Sequence, residues 1–365
     1  MNSFLLETKK SLDKLSTFKK VKIILGNESC DLDSTVSSVV YSFLLSHLLK
    51  TSQTIIIPVI NVRENDFKIK TEVIYFCEDC GIDSKNFIFR DQINLNNLKN
   101  SGVLELVLID HHTLVADNEE LRSTVTEVID HRPRDPTSHF RDDAIICIEN
   151  VGSCATIIAR HIFETDPSIM NPNIAKLLYG TIVLDTACLS FDAGIAKPLD
   201  FEITDKLLHI CDKSISKEKI FKDISTARAN ISGLTIQQII KKDLKTVSGI
   251  PIIGLPILVK DFLLQPNVSA AISQFCTDRE HNLAVFMGLN VGSEQIQRDF
   301  AIYKHVKNAD DLALNLINNL QRNNFDLEEI SIPNLSHQFN VFKQNNSKFS
   351  RKKLLPIVKA VAQSI

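Results

Sequence analysis

The sequence predicts an α/β protein in two parts: a parallel-sheet N-terminal domain and a smaller mixed α/β C-terminal domain. Three observations carry this. The chain has 365 residues, enough for two cores. Short β-branched runs alternate with helix-spaced intervals through the first half, the pattern of a parallel sheet. The alternation weakens between Ala193 and Asp223, and a fresh set of strands follows.

In chain order, Val21 to Leu25 reads as a buried strand, and Val36, Val39, Val40, Phe43 and Leu44 recur at helical spacing after it. Further strand-like runs are Thr54 to Val59, Val73 to Phe76, Glu105 to Ile109, Glu127 to Ile129 and Ala144 to Ile148. "VGSCATIIARHI" reads as a loop opening a helix, and "YGTIVLDTACL" as an apolar run that ends on Asp185. A charged helix, "DKSISKEKIFKD", sits in the weak stretch and is expected to connect the domains. Beyond it come strands in "GIPIIGLPILV" and "NLAVFMGLNV", a helix in "DDLALNLINNLQ" and a basic tail. The expected boundaries are residues 1–205 for the first domain, 206–225 for a linker helix region and 226–365 for the second.

Composition is globular, 44% hydrophobic and 23% charged. A net charge of -3 argues against a general nucleic-acid binder, and 7% aromatics leave no visible stacking platform, so neither DNA nor RNA is expected as a partner. "MNSFLLETKKSLDKL" lacks the apolar core of a signal peptide, and no run approaches the ~18 apolar residues of a membrane span. The expectation is a cytoplasmic protein, with nuclear presence compatible. Eight scattered cysteines suit a reducing compartment. "CEDC", Cys77 to Cys80, has no second pair for a zinc site and reads as reduced thiols at the end of an element.

The chemistry lies in acidic loops. "LGNESCDLDST" places Asp31 and Asp33 after the first strand, where helix capping explains one acid better than two. "LVLIDHHTL" places Asp110, His111 and His112 at a strand end, "VTEVIDHRP" places Asp130, His131 and Arg132 at another, and Asp185 closes a fourth apolar run. Each acid alone is an ordinary turn starter. Gathered on one rim of a parallel sheet, they would repel unless cations neutralised them, and Asp with His is ligand chemistry for paired divalent metals.

"GNESCDLDS", the Asp-His-His strand end, "DHRP", "VGSCATI" and the later Asp-Thr resemble, in order, the motifs of the DHH phosphoesterases, and within them the prune and cytosolic exopolyphosphatase group. The resemblance continues through "QQIIKKDLKTV" to "SRKKLLPIV" and covers nearly the whole chain. It implies an active site in the cleft between the domains and two divalent ions, magnesium or manganese, with cobalt as a third option. Asp31 would bind one metal and Asp33 the other, Asp110 would bridge them, and His131 and Asp185 would complete the second site. Asn27 and Arg132 stand where the family's pyrophosphatases have histidines, which makes Asn27 a candidate ligand and Arg132 a candidate catalytic residue. His111 and His112 become candidates for proton handling, or for fixing the orientation of an acid.

On the substrate side, Gly152 and Ser153 open a helix whose backbone donors could accept a phosphate oxygen, or simply start the helix. "SKFSRKKLLPIVKAV" is a basic run without an acid. It resembles the family's substrate-binding motif, which implies that Arg351 grips phosphate through its fork and Lys352 acts as a point charge. Lys245 resembles the family's other phosphate-binding lysine. The leading expectation is a metal-dependent phosphoanhydride hydrolase of short polyphosphates or another small phosphorylated substrate. A cyclic-nucleotide phosphodiesterase and a weakly active interaction protein are the alternatives; protein partners cannot be read from the residues.

Overall fold

A computed structural model describes residues 1–365 except 50–51, 115, 213–214, 291–295, 307–308, 334 and 364–365. It divides into two compact units, Met1–Arg228 and Ala229–Ile365. No helix among the described residues is long and apolar enough to cross a membrane.

The first unit holds strands β1 (Lys20–Leu25), β2 (Thr54–Ile60), β3 (Ile88–Phe89), β4 (Leu104–Ile109), β5 (Val125–Asp130) and β6 (Ile145–Ile148). They form one parallel sheet in the order β3-β2-β1-β4-β5-β6. Its helices are α1 (Asn2–Lys10), α2 (Leu32–Leu48), α3 (Glu64–Phe67), α4 (Thr71–Asp79), α5 (Leu95–Asn100), α6 (Cys154–Thr165), α7 (Pro172–Asp185), α8 (Pro198–Ile210) and α9 (Lys217–Ala229). Both faces of the central strands are apolar because both are covered. On β4, Val107 and Ile109 pack with the buried faces of α2, α4, α6 and α7, while Leu104, Leu106 and Leu108 pack on the other side with Leu95 and Leu98 of α5.

Three sequence expectations change here. Val73 to Phe76 is helical, inside α4, where Val73, Phe76 and Cys77 form a buried stripe at helical spacing. The missing strand is β3, a two-residue edge too short to show a pattern. Asp185 ends a helix, α7, rather than a strand. Gly180 to Leu184 are all buried, and a helix that is apolar all round reads like a buried strand. Gly180 is needed there, since a Cβ would lie 2.1 Å from the Phe76 ring. The expected linker, 206–225, lies within the first unit, where Ile220 and Ile224 of α9 join the main core. Cys77 and Cys80 are buried free thiols at the end of α4.

The second unit holds β7 (Leu244–Val247), β8 (Ile250–Leu255), β9 (Leu283–Asn290), β10 (Gln297–Lys304), β11 (Leu327–Glu329) and β12 (Phe339–Gln344), in the order β11-β12-β10-β9-β8-β7. The sheet is mixed: β8 pairs parallel with β9, and the other pairs are antiparallel. α10 (Ile236–Lys242), α11 (Val259–Leu263) and α12 (Val268–Asp278) cover one face, α13 (Ala309–Arg322) and α14 (Arg351–Ala362) the other.

Candidate metal centre

The centre is built at the C-terminal ends of β1, β4 and β5, where parallel topology gathers loops and helix N-termini. After β1 the chain turns at once into α2. Gly26 permits this, because a Cβ there would sit 2.3 Å from Ser34 Oγ. Asp31 caps α2 by accepting the Ser34 N–H at 3.0 Å. Its other oxygen accepts from Ser29 Oγ at 3.0 Å.

Asp33 is buried in the first turn of α2 and faces α6. Its carboxylate accepts the N–H groups of Cys154 (2.6 Å) and Ala155 (2.8 Å), two free donors at a helix N-terminus. Ser37 Oγ donates to it as well, at 3.0 Å. The α6 N-terminus expected to receive phosphate thus receives a protein carboxylate. Gly152 gives its N–H to Asp200 at 2.7 Å, and Ser153 is fully buried. Both candidate phosphate contacts therefore face inward.

Asp110 follows β4 in a left-handed conformation, φ 60°, which aspartate tolerates better than most residues. Its N–H bonds the Ile129 carbonyl at 2.8 Å, which fixes the fully buried carboxylate between three neighbours. Arg132 Nη1 lies 2.6 Å from Oδ1, His131 Nε2 lies 3.3 Å from the same oxygen, and Asn27 Nδ2 donates to Oδ2 at 2.7 Å. Burial, then the charge of Asp33, raises the Asp110 pKa, while the His131 hydrogen bond and Arg132 pull it down. Burial would lower His131, but Asp110 and Asp33 outweigh it and raise the imidazole to about 9. Burial and the charges of Asp33 and Asp31 push Asp185 well above the carboxylate range.

The mutual repulsion of these buried acids is what a cation placed among them would relieve. Asp33, Asp110 and His131 present ligand atoms that all lie within 4.8 Å of one another. His131 Nδ1 donates to the Val151 carbonyl at 3.0 Å, so Nε2 is the ring nitrogen facing both acids, and it offers a lone pair to a cation once its proton is displaced. The donor set of carboxylates and one imidazole fits a divalent cation.

The remaining candidates divide. The Asn27 carboxamide oxygen accepts from Ser29 Oγ (2.6 Å) and the Cys30 N–H (3.0 Å), and its nitrogen faces Asp110. The amide orientation is fixed by this network, since Cys30 offers only a donor and Asp110 only acceptors. Asn27 therefore holds Asp110 through its nitrogen, while its oxygen is shared between Ser29 and Cys30. His112 is also committed: Nδ1 pairs with Asp130, and Nε2 accepts the Asp135 N–H at 2.8 Å. Both ring nitrogens of His112 are thus engaged. His111 donates Nδ1 to the Ile109 carbonyl at 2.9 Å and lines a polar pocket of about 180 Å³ with Asn27, Asn61 and Asn118. Burial lowers its pKa.

Two positioning residues escaped the sequence reading. Asp130 was visible in "VTEVIDHRP", but not its work: Oδ1 accepts from the N–H of His131 (2.7 Å) and of Arg132 (3.3 Å), shaping the turn that aims both side chains. Asp200 collects the N–H groups of Gly152 and Lys197, each at 2.7 Å, and the Thr156 hydroxyl. In sequence it is one more acid in the first turn of a helix.

In the second unit, Arg351 opens α14 and is held by Asp243. Nη1 donates to its carbonyl at 2.7 Å and Nη2 to Oδ1 at 2.6 Å. Gly254 leaves room for this pair, because a Cβ would meet Asp243 Oδ2 at 2.4 Å. Lys245 on β7 and Lys352 on α14 are exposed.

Residues 22–182 match the DHH family, N-terminal domain, and residues 222–361 match the DHHA2 domain. Exopolyphosphatase PRUNE1 of Homo sapiens is 30% identical over 351 residues, covering 94% of this chain and 76% of that protein. A protein of Oceanobacillus iheyensis named as a manganese-dependent inorganic pyrophosphatase is 26% identical, over 61% of this chain and 65% of its own length. A solved structure from Methanococcus jannaschii, described as a family II inorganic pyrophosphatase, is 18% identical with a TM-score of 0.52, covering 94% of this chain and 99% of that one. Its likeness concerns the fold. With both domains matched in order and the acid cluster assembled at the sheet rim, the chain belongs to the DHH family, in the prune group of its members that carry a DHHA2 domain.

Proposed function

We propose that this protein is a metal-dependent phosphoanhydride hydrolase that removes terminal phosphate from short linear polyphosphates. The observation that carries this reading is the convergence of Asp33, Asp110 and His131 within 4.8 Å at the sheet rim. Its PRUNE1 relative is named an exopolyphosphatase, and its Oceanobacillus relative a manganese-dependent pyrophosphatase. Neither name supports the cyclic-nucleotide alternative. The intact ligand set argues against a fold kept only for protein interaction.

Asp31, Asp33, Asp110, His131 and Asp185 would hold two divalent cations, magnesium or manganese. Such cations supply an activated water and take up charge on phosphoryl oxygens. The chain's own residues set the stage. Asn27 and Arg132 hold Asp110 from two sides, and the N–H groups at the α6 N-terminus hold the Asp33 carboxylate in place. Arg132 is 45% exposed and keeps further N–H groups for a phosphoryl oxygen. Lys245, Arg351 and Lys352 would bind substrate phosphates from the second domain, with Asp243 orienting the Arg351 fork.

Turnover of triphosphate, tetraphosphate, pyrophosphate and cyclic AMP, measured side by side with magnesium, tests the reading. Phosphate release from the linear chains is expected, with cyclic AMP untouched; the reverse order would overturn it.

Two variants probe its parts. Arg351→Ala should lower kcat/KM about tenfold, mainly through KM, as expected for one charge-assisted contact. Metal affinity should stay close to wild type. A large fall in melting temperature would instead make the Asp243 pair structural. Asn27→His would place an imidazole beside Asp110, and imidazole favours manganese and cobalt over magnesium. The ratio of manganese- to magnesium-supported activity should rise several-fold, as order-of-magnitude reasoning from ligand preference suggests. An unchanged ratio in metal titrations would show that position 27 does not reach the cations.

A further inference from the structure

Beside the metal centre lies a pocket of about 340 Å³ lined by Arg132, Pro133, Arg134, Ile146, Ile148 and Asn150. It contains two arginines and no acid, in a chain whose net charge is -3. Arg132 belongs to both places. Its Nη1 rests on Asp110 at 2.6 Å and Asp130 at 3.2 Å, and the same residue lines the pocket. The pocket and the cluster therefore share Arg132.

Arg134 is exposed and pairs with no described residue. Three other arginines of this unit do pair: Arg122 with Glu119, Arg141 with Asp143 and Arg160 with Glu149. Arg134 shares the pocket with the apolar residues Ile146, Ile148 and Pro133, and low-dielectric walls screen a charge less than water does. Asn150 adds a neutral amide that can donate to an anion.

We propose that this pocket is a distal phosphate subsite, in which Arg134 binds the phosphates that follow the two nearest the metal centre. The proposal rests on the phosphoanhydride-hydrolase reading. Pyrophosphate is too short to occupy the subsite, so Arg134 is a specificity-determining residue that favours chains of three or more phosphates. Its guanidinium fork suits oxygens on successive phosphates, whereas lysine would supply charge without the fork.

The test measures kcat/KM on pyrophosphate, tripolyphosphate and tetrapolyphosphate for wild type, Arg134→Ala and Arg134→Lys, with Arg141→Ala as a control for loss of one positive charge on the same unit. Expected is a fall of about tenfold in the tetrapolyphosphate-to-pyrophosphate ratio for Arg134→Ala, the scale of one charge-assisted contact. Arg134→Lys should recover part of the ratio, and Arg141→Ala should leave it unchanged. An active Arg134→Ala enzyme with the wild-type ratio, or one weakened equally on all three substrates, would overturn the subsite alone. A wild type inert toward all three would overturn the function and the subsite together.

Discussion

Asp110→Asn is expected to abolish measurable turnover, with a loss of at least about 10²-fold, the scale on which even supporting groups of a metal site act. The carboxylate is fully buried and is the point where Asn27, His131 and Arg132 converge. An amide keeps the shape and removes both the charge and one acceptor, so cation affinity and phosphoryl stabilisation fall together. In chelator the melting temperature reads the balance between relief of repulsion from Asp33 and loss of the buried contacts to Arg132 and His131. Wild-type turnover at saturating magnesium would remove Asp110 from the centre.

The second large effect concerns stability. His112→Ala leaves Asp130 Oδ2 in a fully buried position without its imidazole partner. Breaking a buried pair from one side costs about 3 kcal/mol, or roughly 10 °C in the melting temperature of a domain of this size. It also frees the 2.8 Å contact to the Asp135 N–H. His112→Asn should spare much of this loss, because its amide nitrogen can replace Nδ1 as donor to Asp130. Thermal melts and kcat on the same preparations separate the roles. If His112→Asn melted like wild type yet lost turnover, His112 would be a chemical participant after all.

What could be read from the sequence followed from locality. β1, β2, β4, β5 and β6 announce themselves through β-branched runs, and the acids that end β1 and β4 lie in the loops where they act. β3 has two residues, below the length at which a pattern exists. α7 is buried on all sides, so its periodicity is erased. Of the converging cluster, Asp33, Asp110 and His131 were legible as residue types at strand ends. Their hydrogen-bond partners were not. Asp33 meets the Cys154 N–H from 121 positions away, and Asn27 meets Asp110 from 83. No spacing rule reaches that far. For Gly152 and Ser153 the sequence left both a phosphate contact and a simple helix start open, because Asp33 and Asp200, which take up N–H groups of their segment, are remote in sequence.

That same remoteness bears on how the protein is made. The groups that converge are drawn from Asp33, Asp110, His131 and the α6 N-terminus, so most of the first unit must close before they meet. Loop closure at such separations comes late and slowly in folding. A cation bound at the proposed centre would find its full ligand set only on the finished fold, and by mass action it would act as a lock on that fold, adding about 2.7 kcal/mol at a hundred times its dissociation constant. Newly synthesised chains would mature at a rate set by folding, and cellular supply of the divalent ion would set how long the mature form persists.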